Sequence, residues 1–151
     1  MEREDHSMEW KPNPLGIEFM GGTELYSMAV RPPAGRQVLF SGIIPKQTEG
    51  CDLAAQVADV LGQLMERFGL AGLTVFNLIK ISVALFDPDG KPTTCAAMYD
   101  EFNALYRAWL AEHEVELPPV RFCAGASWVP KDSLIEVVPE CFEPAAIATA
   151  A

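Results

Sequence analysis

The sequence predicts an α+β fold, one mixed sheet with two helices packed on one of its faces. Two segments repeat apolar residues at three- and four-residue spacing, the mark of amphipathic helices. Several shorter segments alternate apolar and polar side chains, as half-buried strands do. The two kinds follow one another as strands, helix, strand, helix, strands, which suits helices laid on a single sheet. The chain has 151 residues and is 50% hydrophobic, enough for one domain with a sizeable core.

Taken in order, residues 1–16 read as a flexible arm: charged at first, then "KPNPLG" with its prolines. The domain proper is expected over 17–142, and "EPAAIATAA" at 143–151 reads as a loose tail. "GIEFMGG" and "TELYSMAV" are short strand candidates. "RPPAGRQ" is a turn, since proline gives a sheet no donor. "QVLFSGIIP" reads as a buried strand ended by Pro45, and "PKQTEGC" as a loop. Asp52 is a suitable N-cap for the first helix. Leu53, Val57, Val60, Leu61, Leu64 and Phe68 form its stripe, and Gly69 is its stop signal.

"NLIKISVALF" places Ile79, Ile81, Val83 and Leu85 on one parity, as a strand does. After the turn-rich "DPDGKP", Thr94 is the candidate cap of a second helix. Met98, Phe102, Leu105, Tyr106 and Trp109 form its stripe. "PPV" leads into a strand around Arg121, and "PKD" turns that strand back into the last one as a hairpin. Two helices cover one face only. The other face still carries apolar side chains, so self-association is expected to cover it.

The formal net charge is −10. Nucleic-acid binding draws most of its affinity from Lys and Arg against phosphate, so small molecules or further copies of the chain are the expected partners. The cysteines are Cys51, Cys95, Cys123 and Cys141; none forms a CxxC pair, and His6 and His113 lie far apart. A metal site is therefore not expected, and reduced, packed thiols are. No apolar run reaches the ~18–20 residues of a membrane span. "MEREDHSMEW" lacks the pattern of a secretory signal, so a cytoplasmic location is expected.

The chemistry-bearing stretch is "VRFCAGASWVPKDSLIEVV". On a strand Arg121, Cys123 and Gly125 share one face, while Phe122, Ala124 and Ala126 take the other. Arginine offers a planar fork of donors that suits a carboxylate. Glu136 stands on the returning strand. Whether it shares the arginine's face depends on the hairpin register, because a one-residue slip reverses it. With Glu136 opposite Gly125, all of them would line one pocket. The alternative is a structural Arg–Glu pair on a partly exposed sheet. Cys123 by itself is packing, since no histidine in its sequence vicinity activates it. Ser41, Gly42, Tyr26 and Asn103 could each touch a ligand, and each also has an ordinary structural role. His113, at the end of the second helix, is explained by the helix dipole.

Several stretches in order resemble the Rid (YjgF) family, the enamine/imine deaminases. They are "LFSGIIP", "AAQVADVLGQLMERFGL", "NALYRAW", "EHEVELPPVR" and "RFCAGASWVPKDSLIEV", and they fall within about residues 25–142. The last is the most telling, with Arg-x-Cys and Pro-Lys-Asp-x-x-Ile-Glu. The resemblance implies a chorismate-mutase-like fold and a homotrimer with sites between subunits. It implies that Arg121 clamps a substrate carboxylate, Cys123 lines the site, and Glu136 holds or activates water. Ser41, Gly42, Tyr26 and Asn103 would complete the binding site. The reaction would turn a 2-enamino or 2-imino acid into a 2-keto acid and ammonium, without cofactor.

The chain departs from the family pattern at Ile43, at Ala124–Gly125 in place of the usual Val-Glu, and at the bulky Trp128. The segment "DPDGKPTTCAAMYDEF" is longer than usual and reads as a longer loop; the N-terminal arm is extra. These changes bear on pocket size and make a larger imine a reasonable substrate. A non-catalytic relative that binds small carboxylates is the second reading. Ribonuclease activity, ascribed to some relatives, is disfavoured by the net charge.

Overall fold

The computed structural model describes residues 9–146. Its strands are β1 (Trp10–Pro12), β2 (Glu18–Met20), β3 (Ala29–Arg31), β4 (Gly35–Leu39), β5 (Leu78–Phe86), β6 (Val120–Ala126) and β7 (Ile135–Pro144). Its helices are α1 (Leu53–Leu70) and α2 (Pro92–Glu112). Among the described residues no helix is long and apolar enough to cross a membrane.

The α+β architecture is the expected one, but the strands form two sheets. A four-stranded mixed sheet has the order β4-β7-β5-β6, and β1-β2-β3 form a separate antiparallel sheet. Pro32 and Pro33 separate β3 from β4; lacking N–H groups, they stop one ladder before the next begins. The first sheet also corrects the reading of an N-terminal arm. Trp10–Pro12 pairs with β2, and the Asn13 side chain organises the turn, accepting from Leu15 N at 2.9 Å and Ile17 N at 3.1 Å. Residues 1–8 of that arm lie outside the described residues. So do 147–151 of the expected tail, whereas β7 continues to Pro144, paired with Gly35.

In α1 the Asp52 side chain accepts from Ala55 N at 2.9 Å, the N-cap that the sequence predicts. All six stripe residues are buried. Truncating Phe68, fully buried, to alanine would cost about 3–5 kcal/mol. The helix passes Gly69 and ends at Leu70, with Ala71 as its C-cap; Gly72, at φ +73°, makes the exit. α2 starts at Pro92 rather than behind a Thr94 cap, because proline's fixed φ suits the first helical position. Thr94 instead donates its hydroxyl to Lys91 O at 3.0 Å. The helix thus begins three residues before a Thr94 cap would have placed it, and only the first part of the long segment is loop.

Both helices lie over one face of the large sheet, with Ile81, Val83, Leu85, Ile135 and Val137 beneath them. Ile79 departs from this parity. A bulge between Leu78 and Lys80 puts Leu78 in the main core, while Ile79 joins Ile17, Phe19 and Phe142 under the small sheet. "QVLFSGIIP" is also not a central buried strand. β4 is a mostly exposed edge, and Ile43 beyond it makes a single bridge to Val137. Trp128 lies past the end of β6, and it is exposed.

The last two strands do not form a hairpin. β5 lies between them, parallel to β6 and antiparallel to β7. Lys131 and Asp132 take positive φ in the "PKD" turn, which delivers the chain to the far side of β5.

Candidate functional site

β6 is an edge strand, and α2 packs beside it on the core face of the sheet. In register with Ile81 and Val83, Arg121 and Cys123 point to that face. The Arg121 guanidinium lies among four aromatic rings: Tyr26 at 5.5 Å, Tyr99 at 5.6 Å, Tyr106 at 5.7 Å and Phe102 at 5.8 Å. Three of them come from α2, where Tyr99, Phe102 and Tyr106 follow helical spacing. Tyr26 comes from the segment between β2 and β3.

Arg121 Nη2 donates to the Tyr99 hydroxyl at 3.0 Å. Among the described residues no carboxylate pairs with Arg121. Its Nη1 is buried without a hydrogen-bond partner, as are Asn103 Oδ1 and the Tyr106 hydroxyl. Ring faces attract a cation but leave its N–H donors unused. A half-buried guanidinium with one buried, unused nitrogen suits an anion. Burial pushes the Tyr106 hydroxyl pKa up, with Arg121 partly offsetting it. Burial likewise raises the Cys123 thiol above its ordinary value, and Arg121 draws it part of the way back. Cys123 is thus protonated at neutral pH, a wall of the site rather than a thiolate nucleophile.

Glu136 is elsewhere. Ala84 stands in register with Ala124 on one side and Glu136 on the other. These three share the open face of the sheet, opposite the face that carries Arg121. The single pocket expected for Glu136 opposite Gly125 does not form, nor does the structural Arg–Glu pair, since β5 separates the two strands. Glu136 sits beside Gly42: a Cβ added there would stand 2.9 Å from its Oε2. Ser41 is next in the chain, and its carbonyl accepts from Arg67 Nη1 at 3.4 Å. Ser82, Phe122, Glu136 and Val138 border a shallow cavity of about 130 Å³ on this open face.

The predicted residues therefore fall into two groups. Arg121, Cys123 and Tyr26 gather at the β6–α2 edge; Asn103, on α2 next to Phe102, carries a buried oxygen without a partner, as Arg121 carries a buried nitrogen. Glu136, Gly42 and Ser41 gather on the open face. Sequence reasoning took Phe102 and Tyr106 as core and passed over Tyr99; their spacing was visible, but their common target was not. His113 closes α2 with its ring 5.0 Å from Trp109, in keeping with a structural role.

Residues 20–140 match the family model described as Endoribonuclease L-PSP. The chain belongs to this family, that of the Rid or YjgF proteins. A RutC family protein of Sulfurisphaera tokodaii is 29% identical over 138 residues, spanning 88% of this chain and 93% of the relative. The YjgF gene product of E. coli is similar in structure at a TM-score of 0.58 and 27% identity, covering 80% of this chain and 94% of that one. The structure of E. coli TdcF with bound serine superposes at a TM-score of 0.58. At 24% identity, over 81% of this chain and 96% of TdcF, it shares the fold.

Proposed function

We propose that this Rid-family protein is a hydrolytic deaminase of 2-enamino and 2-imino acids, with each site built between two copies of the chain in a homotrimer. The observation that carries the reading is Arg121: a cation among aromatic rings, with a buried, unpartnered Nη1 and, among the described residues, no carboxylate paired with it. That arrangement suits a small carboxylate. One chain supplies Arg121 with Tyr26, Asn103 and the Cys123 wall; its neighbour supplies Glu136 with Ser41 and Gly42. Self-association is favoured by the open sheet face, where Phe122 and Leu39 are 61% and 66% exposed, and by the unpaired edge of β6.

Arg121 fixes the substrate carboxylate and so orients the C=N carbon, which can supply a large part of the rate. Glu136 of the neighbouring chain accepts a proton from water as the oxygen attacks that carbon. It returns that proton to nitrogen to give the carbinolamine, then takes the carbinolamine hydroxyl proton and passes it to nitrogen as the C–N bond breaks, so that C=O forms and ammonia leaves. The imino acid and one water become a 2-keto acid and ammonia, with no net redox change and no cofactor.

Binding without turnover is the second reading. It is favoured by one observation: in a single chain the Arg121 group is assembled, whereas Glu136 lies on the opposite face. A phosphate backbone as ligand is disfavoured by the net charge of −10.

The test is ammonium release from freshly generated 2-iminopropanoate. Wild type should accelerate it over buffer, and Arg121→Ala should lose at least about 10²-fold in kcat/KM. Wild type no faster than buffer removes the deaminase reading for that substrate. Light scattering that shows only monomer removes the site between copies.

A further inference from the structure

α2 runs about two turns ahead of Tyr99, from Pro92. Those turns lie over the C-terminal end of β6. Between helix and strand is a second cavity of about 100 Å³, bordered by Leu85, Cys95, Met98, Tyr99, Cys123 and Gly125. It adjoins the Arg121 group through two shared walls. Tyr99 holds Arg121 by its hydroxyl while its ring borders the cavity. Cys123 is two residues along the strand from Arg121, on the same face.

The walls are mostly apolar. The one carboxylate there, Asp87, already accepts from Asp89 N at 3.0 Å and from Cys95 Sγ at 3.4 Å. Gly125 keeps the cavity open: a Cβ at that position would meet only Leu85 O, at 3.9 Å. A dry cavity of roughly 150 Å³ admits benzene, so one of about 100 Å³ suits a side chain of about four carbons.

We infer that this cavity is the side-chain subsite of the proposed enzyme: it receives the apolar side chain of the acid whose carboxylate Arg121 holds, and favours a branched four-carbon group over a methyl. The inference rests on Arg121 binding a carboxylate, but not on turnover. Gly125, Met98 and Leu85 set its depth. A side chain at position 125 fills it, and a shorter one at 98 deepens it.

Two measurements on the full chain test this. The first is calorimetric binding of stable 2-oxo acids, pyruvate against 4-methyl-2-oxopentanoate. Wild type should prefer the branched acid by roughly 10-fold, the usual discrimination of an apolar pocket. Gly125→Val should abolish that preference, and Met98→Ala should shift it towards phenylpyruvate. The second is turnover of the imino acids produced in situ from alanine and leucine by an amino-acid oxidase, where the same ratios should appear in kcat/KM. A wild type that favours pyruvate, or a Gly125→Val variant that keeps the preference for the branched acid, overturns the subsite. Failure of turnover with the binding preference intact removes the deaminase reading and leaves the subsite standing. Turnover of both imino acids at equal efficiency, with equal binding, does the reverse.

Discussion

The two faces of the large sheet differ in how much of a site each completes. On the helix face, Arg121 is enclosed by rings from α2 and from the β2–β3 segment, all of one chain. On the open face, Glu136 has only Gly42 and a shallow cavity beside it. In the proposed deaminase the recognition half of the chemistry is therefore intramolecular, while the proton-transfer half needs a neighbour laid across the open face. On the proposed reading, such a protein binds as a single chain and turns over only as an assembly.

The largest expected effect separates the halves directly. Glu136→Gln should lower kcat about 10²–10⁴-fold, the ordinary contribution of a general base, with the affinity for a 2-oxo acid within about twofold of wild type. An equal loss in affinity would break the division. Mixed trimers sharpen it further. Arg121→Ala and Glu136→Gln chains, each inactive alone, should regain roughly a quarter of wild-type activity after random co-assembly, if each site takes one residue from each copy. No recovery would place both residues in one chain.

A smaller effect is expected within the helix-face group. Tyr99→Phe removes the hydrogen bond that Arg121 gives the Tyr99 hydroxyl, and it should weaken 2-oxo acid binding by about 2–10-fold. KM should rise with kcat little changed; a change in kcat alone would assign Tyr99 to the chemistry instead.

The smallest effect concerns Cys123. Burial raises its thiol and Arg121 lowers it in part, so the thiolate is scarce at neutral pH and grows only as pH rises past the ordinary thiol range. The pH profile of iodoacetamide labelling should show this displaced midpoint, and Arg121→Ala should move it higher still. A midpoint that falls on loss of Arg121 would contradict the electrostatic account.

The helices were legible because their stripes are local: Leu53 to Phe68 and Phe102 to Trp109 declare their faces without reference to the rest of the chain. The sheet was less so. Nothing near "VPKDS" says that β7 crosses β5 instead of returning along β6, since that pairing joins residues about fifty apart in sequence. This one misplacement put Glu136 in the arginine's pocket. The aromatic cage was half legible: the residues stood out, but Tyr26 reaches Arg121 only through tertiary contacts. The second helix was legible from its stripe, and Pro92 explains why it starts three residues earlier than a Thr94 cap would have placed it.

The bulge at Ile79 bears on the site from a distance. It is one surplus residue in an otherwise continuous ladder, and it lets β5 serve two hydrophobic clusters at once. Deleting Ile79 would leave Leu78 and Ile81 on their present side, so the large sheet could close up regularly. The small sheet would lose one of the contacts that join it to the rest, beside the hydrogen bonds from Asn13 to Phe76 O and from Ser27 to Pro118 O. Tyr26 hangs from that sheet, between β2 and β3, so a loss at the back of the molecule would loosen one wall of the arginine cage at the front. The N-terminal strands are in this sense a bracket, and a single inserted residue is one of its fastenings.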